Sequence, residues 1–270
     1  MPDSAGHEKL HMPVGLPLVS SRGRADRLDI LRAYAHQCDS SHECNKRSGE
    51  AIFPTRVLDV GGLEDLAFAP GWIRLTPAAE RRSNTFVALS HCWGDLTTKQ
   101  KLFCTTQSNI AQRSQAFHVS ELPKTFKDAV KVVRALGLRY LWIDSLCIIQ
   151  SGDNGEDWNR EATKMRDVFS QAYCVIAATA ASNAHDGFLE KHAEQRTERI
   201  CVADNTGKRF WVSTDLDDFD QDVGKASLNT RAWVIQESVL ARRTVHFTAN
   251  QMYWECGKGV CCENLVRLKR

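Results

Sequence analysis

The chain has 270 residues, of which 43% are hydrophobic and 25% charged, and a net charge of +2 with histidines neutral. This composition suits a globule able to bury a real core, and the near-neutral balance gives no basis for nucleic-acid binding by bulk electrostatics. No apolar stretch approaches the roughly 18–20 residues that span a bilayer, and ten cysteines without the layout of a secretion signal point to reduced thiols in the cytoplasm.

Residues 1–25, rich in Pro, Gly, Ser and charge, read as a disordered or loosely attached arm. "LDILRAYAHQC" then places Leu28, Leu31 and Ala35 at helical spacing. The overlapping "HQCDSSHEC" holds His36, Cys38, His42 and Cys44, and the late "CGKGVCCE" holds Cys256, Cys261 and Cys262. Zinc would need four tetrahedral ligands of these types. The spacing is not that of a common zinc finger. The expectation is that these groups do not converge, serve as ordinary packing or surface residues, and hold no metal.

"RVLDVG" and "WIRLTPA" read as a strand pair, and "TFVALS" as a further strand. "LPKTFKDAVKVVRALG" is a helix with Phe126, Ala129, Val130, Val133 and Leu136 on one stripe and Gly137 at its end. "LRYLWIDSLCII" is a buried-type strand followed by the polar loop "QSGDNGE". A helix is predicted over 157–172, with Trp158, Ala162, Met165, Phe169 and Ala172 facing inward, and "YCVIAATAAS" is the next strand. The alternation predicts an α/β fold. Strands 86–90, 140–145 and 174–179 should be parallel neighbours, with helices 124–136 and 157–172 crossing over. Beyond this core, about 84–190, a β-rich addition spans about 198–262. It contains a hairpin turning at Asn205 to Gly207, a short helix "NTRAWVIQESVL" and a second hairpin "RTVHFTANQMYWEC". Hairpin additions therefore flank the parallel core at both ends.

Open parallel sheets carry their sites outside the carboxyl ends of the strands. The first strand ends on Ser90, His91, Cys92, Trp93, Gly94 and Asp95, the second on Asp144 and Ser145, and the third on Ser182 and Asn183. The helix after the second strand begins with Asp157, Trp158 and Glu161. Glu161 beside the indole of Trp158 could have a raised pKa and act in acid/base or electrostatic catalysis; otherwise it is an N-terminal-turn acid favoured by the helix dipole. Asp144 is either a ligand-binding acid or an acceptor for loop amides. His91 is a base, a ligand contact or a structural histidine. Trp93-Gly94 offers a stacking face with close backbone approach, or core plus turn. Cys92 and Cys147 would need a thiolate-stabilising partner to be nucleophiles, and adjacent strand residues point to opposite faces, which argues against a Cys92–His91 dyad. The absence of GxGxxG and P-loop motifs leaves Rossmann-type dinucleotide binding and NTPase activity unsupported.

Five blocks, "FVALSHCWGD", "LPKTFKDAVKVVRALGLRYLWIDSLCIIQ", "DWNREATKMRDVFSQAYCVIAATAA", "TRAWVIQESVLARR" and "MYWEC", resemble in order and spacing the motifs of the HET (heterokaryon incompatibility) domain of filamentous fungi. The resemblance implies a single HET domain over 26–270 in a cytosolic self/non-self recognition protein whose activation leads to programmed cell death. HET domains are similar in turn to TIR domains, many of which hydrolyse NAD, and "FVALSHCWGD" and "LRYLWIDS" resemble the first two TIR strands. The resemblance thus implies a TIR-like (flavodoxin-like) sheet and NAD as a substrate, with no resident cofactor. It assigns catalysis to Glu161, ribose and phosphate positioning to Ser90, Asp144 and Arg231, and stacking to Trp93 or Trp158. His91, Gly94 and Asp95 would line the same site. Strict strand order instead puts Glu190 forward as the acid. The alternative is a non-enzymatic, TIR-like signalling module that acts by self-assembly. The partners implied are further copies of the chain and a non-self recognition protein, with neither nucleic acid nor membrane.

Overall fold

A computed structural model describes residues 24–45, 53–61, 71–94, 103–190, 199–203, 206–207, 209–213, 218–230, 237 and 239–268. The arm before residue 24, Asp95, Arg231 and most of "NTRAWVIQESVL" lie outside the described residues.

The chain runs α1 (Arg24–Ser41), β1 (Arg56–Asp59), β2 (Trp72–Pro77), β3 (Phe86–Ser90), α2 (Ile110–Gln115), β4 (Phe117–His118), α3 (Lys124–Ala135), β5 (Tyr140–Trp142) and α4 (Asp144–Cys147). It continues through α5 (Glu156–Ala162), α6 (Met165–Gln171), β6 (Val175–Ala177), β7 (Arg199–Ala203), β8 (Arg209–Ser213), β9 (Arg243–Phe247), β10 (Met252–Cys256), β11 (Gly259–Cys262) and β12 (Arg267–Leu268).

Every residue of β3, β5 and β6 is buried, as continuous apolar runs require in a sheet covered on both faces. Alternation sorts their side chains. Val87, Leu89, Leu141 and Ile143 pack with Leu31, Tyr34, Phe126, Ala129 and Val133 of α1 and α3. Phe86, Ala88, Tyr140 and Trp142 pack with Val168 and Phe169 of α6 on the opposite face. α3 stops as its sequence dictates: Gly137 takes φ +71°, and the Gly137 and Leu138 amides donate to the Arg134 and Val133 carbonyls, the Schellman arrangement.

The three expected strands are parallel neighbours, in the order β6-β3-β5. Two features differ from expectation. First, the flanking hairpins continue the same sheet. Among the described residues its order is β12-β11-β10-β9-β6-β3-β5-β1-β2-β4. β9 pairs parallel with β6 and β1 antiparallel with β5, so neither side of the parallel core is left as an open edge. β7 and β8 form a separate two-stranded ribbon. Second, the helix expected over 157–172 is two helices. The Thr163 hydroxyl donates to the Arg160 carbonyl and the Lys164 amide to the Glu161 carbonyl. This local bonding competes with the helical ladder, and the chain turns between α5 and α6. The register change also turns Trp158 outward, 43% exposed, rather than into the core. No helix among the described residues is long and apolar enough to cross a membrane.

Candidate functional site

The carboxyl ends of β3, β5 and β6 bring His91, Trp93 and Asp144 together and set Gly94 against Asn183, while Asp95 lies outside the described residues. His91 points to the α3 side, edge-on to Phe126 at 4.9 Å between ring centroids. Cys92 points the other way, packed with Ala177 and Leu228, so the two form no dyad. Trp93 turns back along the edge and its indole N–H donates to Asp144 Oδ2 at 2.9 Å. The other Asp144 oxygen accepts the Ser145 amide at 2.7 Å and lies 4.0 Å from His91 Nδ1. Asp144 is therefore both a loop acceptor and an accessible acid, its side chain 24% exposed. The hydroxyls of Ser90 and Ser145, at the ends of β3 and β5, are buried and have no hydrogen-bond partner among the described residues.

Gly94 shows why the strand-end motif needs glycine. Its φ is +79°, and a Cβ there would collide with the Cβ of Asn183, so the loops after β3 and β6 are in direct contact. The second loop is ordered by Asp186, which accepts from the Ser182 hydroxyl at 2.5 Å and from Asn183 Nδ2 at 3.0 Å. Buried Asp128 of α3 accepts the Phe188 and Leu189 amides. Sequence reasoning passed over Asp128 and Asp186. An acid on the buried stripe of a helix, and a Ser-Asn pair three residues before an Asp, were the available signals.

Glu161 occupies the same carboxyl edge beside β1, in an environment unlike the expected one. The left-handed Gly155, φ +76°, starts α5 at Glu156, which places Glu161 in the last turn, where the helix dipole disfavours an anion. It is 4% exposed and accepts from Thr55 Oγ1 at 2.6 Å, Lys164 Nζ at 3.1 Å and Arg160 Nε at 3.4 Å. Burial alone would raise its pKa. The hydrogen bonds from Thr55 and Lys164 and the lysine charge outweigh burial and hold the carboxyl below its ordinary value. Glu161 is thus an ionised acid engaged by neighbours, not one with a raised pKa. The hydrogen bonds it makes join it to Thr55, Arg160 and Lys164 and not to Ser90, His91, Trp93, Gly94 or Asp144. Glu190, the alternative acid, is exposed and pairs with Lys124 at 2.8 Å.

A deeper ion-pair cluster supports this edge. Asp157, 2% exposed, accepts the Ile149 amide at 2.8 Å and pairs with Arg56 and Arg160. Cys147 is no nucleophile: burial pushes its thiol up to about 12.

At the opposite, amino edge the structure overturns the expectation that the Cys/His groups stay apart. Cys38, His42, Cys44 and Cys256 have their sulfur and ring-nitrogen atoms all within 4.8 Å of one another. Cys38 and His42 are four apart at the end of α1, on one helix face, and Cys44 follows on a short 3-10 turn. Cys262 is not part of the group; it is buried with Phe219 and Tyr253.

The comparisons with known proteins converge. An alignment 141 positions long, covering 48% of this chain and 20% of the relative, shows 28% identity to "Heterokaryon incompatibility protein 6, OR allele" of Neurospora crassa. The match therefore spans about a fifth of the relative's length. No solved structure matches. Residues 86–237, from β3 through the late "AWVIQE" block, match the family described as Heterokaryon incompatibility protein (HET). The chain belongs to the HET family.

Proposed function

We propose that this chain is the effector module of a fungal self/non-self recognition system, that its activation leads to programmed cell death, and that it acts by hydrolysing NAD at the carboxyl edge of its sheet. Membership of the HET family and the name of the Neurospora relative support the first part. The TIR resemblance of "FVALSHCWGD" and "LRYLWIDS" supports the last.

The observation that carries the enzymatic reading is the convergence at the strand ends. An accessible carboxylate, Asp144, is held by an indole N–H, and the same strand ends carry two buried serine hydroxyls, Ser90 and Ser145, without protein partners among the described residues. Hydrolysis breaks the bond between ribose C1′ and the nicotinamide nitrogen. The bonding pair leaves with nicotinamide, and water adds to C1′ and loses a proton. A carboxylate next to C1′ stabilises the oxocarbenium-like transition state, and a flat aromatic face holds the departing ring. Access favours Asp144 as that carboxylate, with Trp93 as the stacking face. The resemblance assigns the ribose and phosphate contacts to Ser90, Asp144 and Arg231, with Asp95 lining the same site. Glu161, engaged as it is, acts as a positioning residue that fixes the start of β1 against α5.

One observation favours a second reading, a non-enzymatic module that signals by self-assembly. The acid assigned by the resemblance is buried and saturated with partners, as a structural acid would be. Incubating the purified, concentrated chain with NAD and following nicotinamide separates the two. Release above background supports hydrolysis. Background release from protein that has assembled supports the scaffold.

A further inference from the structure

We infer that Cys38, His42, Cys44 and Cys256 form a structural zinc site that clamps the end of α1 to β10. Zinc takes four tetrahedral ligands from thiolates and imidazoles, with Zn–S near ~2.3 Å and Zn–N near ~2.0–2.1 Å. Those bond lengths put a sulfur and a nitrogen on the same ion about 3.6 Å apart. The structure places Cys256 Sγ and His42 Nδ1 at 3.6 Å. Two sulfurs on the same ion lie about 3.8 Å apart; all four ligand atoms lie within 4.8 Å of one another, so closure takes at most about 1 Å of side-chain movement. Three sulfurs and one imidazole select zinc over hard, oxygen-seeking cations. Four protein ligands leave no open position for substrate, which makes the site structural rather than catalytic.

The surroundings fit the charge. Binding displaces three thiol protons to solvent and leaves the metal with its ligands at a net charge of −1. Arg243 acts electrostatically on both Cys38 and His42, and Lys258 and Arg267 act on His42. The Arg243 side chain is fully buried and pairs with Asp39 at 2.7 Å, while its Nε and Nη2 have no hydrogen-bond partner among the described residues. Thiolate sulfurs would accept such donors, the outer-shell support that metal sites generally have.

The site adds a tie where α1, already packed into the core through Leu31, Tyr34 and Ala35, meets the far end of the sheet. α1 reaches the far end of the sheet through Arg27–Glu263, through the Tyr34 hydroxyl on the Cys262 carbonyl, and through Asp39–Arg243. A metal joining residues 38–44 to residue 256 closes a loop of more than two hundred residues, and such binding energy is folding energy.

The test is the metal content of the full chain purified under reducing conditions, by mass spectrometry of the elements. About one zinc per chain is expected. After zinc removal, Co2+ added alone should produce thiolate-to-cobalt charge transfer and the bands of a tetrahedral site. Cys256→Ser should lose the metal, His42→Cys should keep it, and Cys201→Ser, at an exposed thiol, should leave it unchanged. If a variant does not fold, the Co2+ spectrum of the wild-type chain decides alone. Metal-free wild-type protein that gives no tetrahedral Co2+ spectrum would overturn the inference. So would zinc retained in folded Cys256→Ser, or a disulfide among Cys38, Cys44 and Cys256 in protein purified with reductant.

Discussion

Replacing Glu161 with Gln keeps the shape of the side chain and removes its charge, so the variant measures what the carboxylate contributes. Two strong contacts carry most of it, from Thr55 Oγ1 at 2.6 Å and Lys164 Nζ at 3.1 Å. Hydrogen bonds to charged groups contribute about 1.5–3 kcal/mol each, but glutamine keeps one acceptor oxygen. Lys164 is 32% exposed and Arg160 53%, so both recover hydration, and the exposed arginine adds little. The net cost at neutral pH is about 2 kcal/mol, which at about 2–4 °C per kcal/mol for a chain of this size lowers Tm by about 4–8 °C. Glu161 has a depressed folded-state pKa. Its contribution is therefore complete above the unfolded carboxyl value of about 4.3 and is lost as pH falls through the lower folded value. The Tm gap between wild type and Glu161→Gln, read by thermal unfolding across pH, should be widest above about pH 5 and narrow progressively as pH falls below the unfolded carboxyl value of about 4.3. A loss under about 0.5 kcal/mol at pH 7, or a gap that persists at acidic pH, would refute the assignment of Glu161 to a buried, charge-dependent network.

Asp157→Ala strips the partner from Arg56, whose side chain is 12% exposed, and from the Ile149 amide; unfolding titrations should show a loss of about 3–5 kcal/mol, as for a broken buried pair. Gly94→Ala forces a left-handed residue to carry a Cβ against Asn183 and should cost about 1–3 kcal/mol by the same titration, with any loss of NAD hydrolysis exceeding the loss of folded protein. Alkylation of the native chain near pH 8 should leave Cys147 unmodified, because burial holds its thiol near 12; rapid labelling in peptide mapping would contradict its placement in the core.

The parallel core was legible because burial on both faces writes a continuous apolar run, as in "FVALS" and "YLW", and because α3 carries its stripe and its terminating Gly137 in one segment. What local patterns do not encode is which neighbour a hairpin joins. The alternation in β9 and β10 reads the same whether β9 is an edge or, as here, the fourth parallel strand. The site was legible as an edge and not as a set of contacts. Ser90, Trp93, Gly94 and Asp144 follow from strand ends alone. The surroundings of Glu161 depend on where α5 begins and ends, which Gly155 and the side-chain bonding of Thr163 decide, and on Thr55, more than a hundred residues upstream. The Cys/His group was half legible. The spacing of Cys38 and His42 puts both on one helix face, but the fourth member comes from Cys256, and only the sheet order delivers it.

The most direct test of the account compares nicotinamide release from NAD by wild type, Asp144→Asn and Glu161→Gln, each at equal folded concentration. Wild type should release nicotinamide, Asp144→Asn should lose about 100-fold or more, as when a group that stabilises the transition state is removed, and Glu161→Gln should retain turnover in proportion to its folded fraction. Full activity in folded Asp144→Asn, or complete loss in folded Glu161→Gln, would contradict the placement of the reaction at the accessible acid of the strand-end edge.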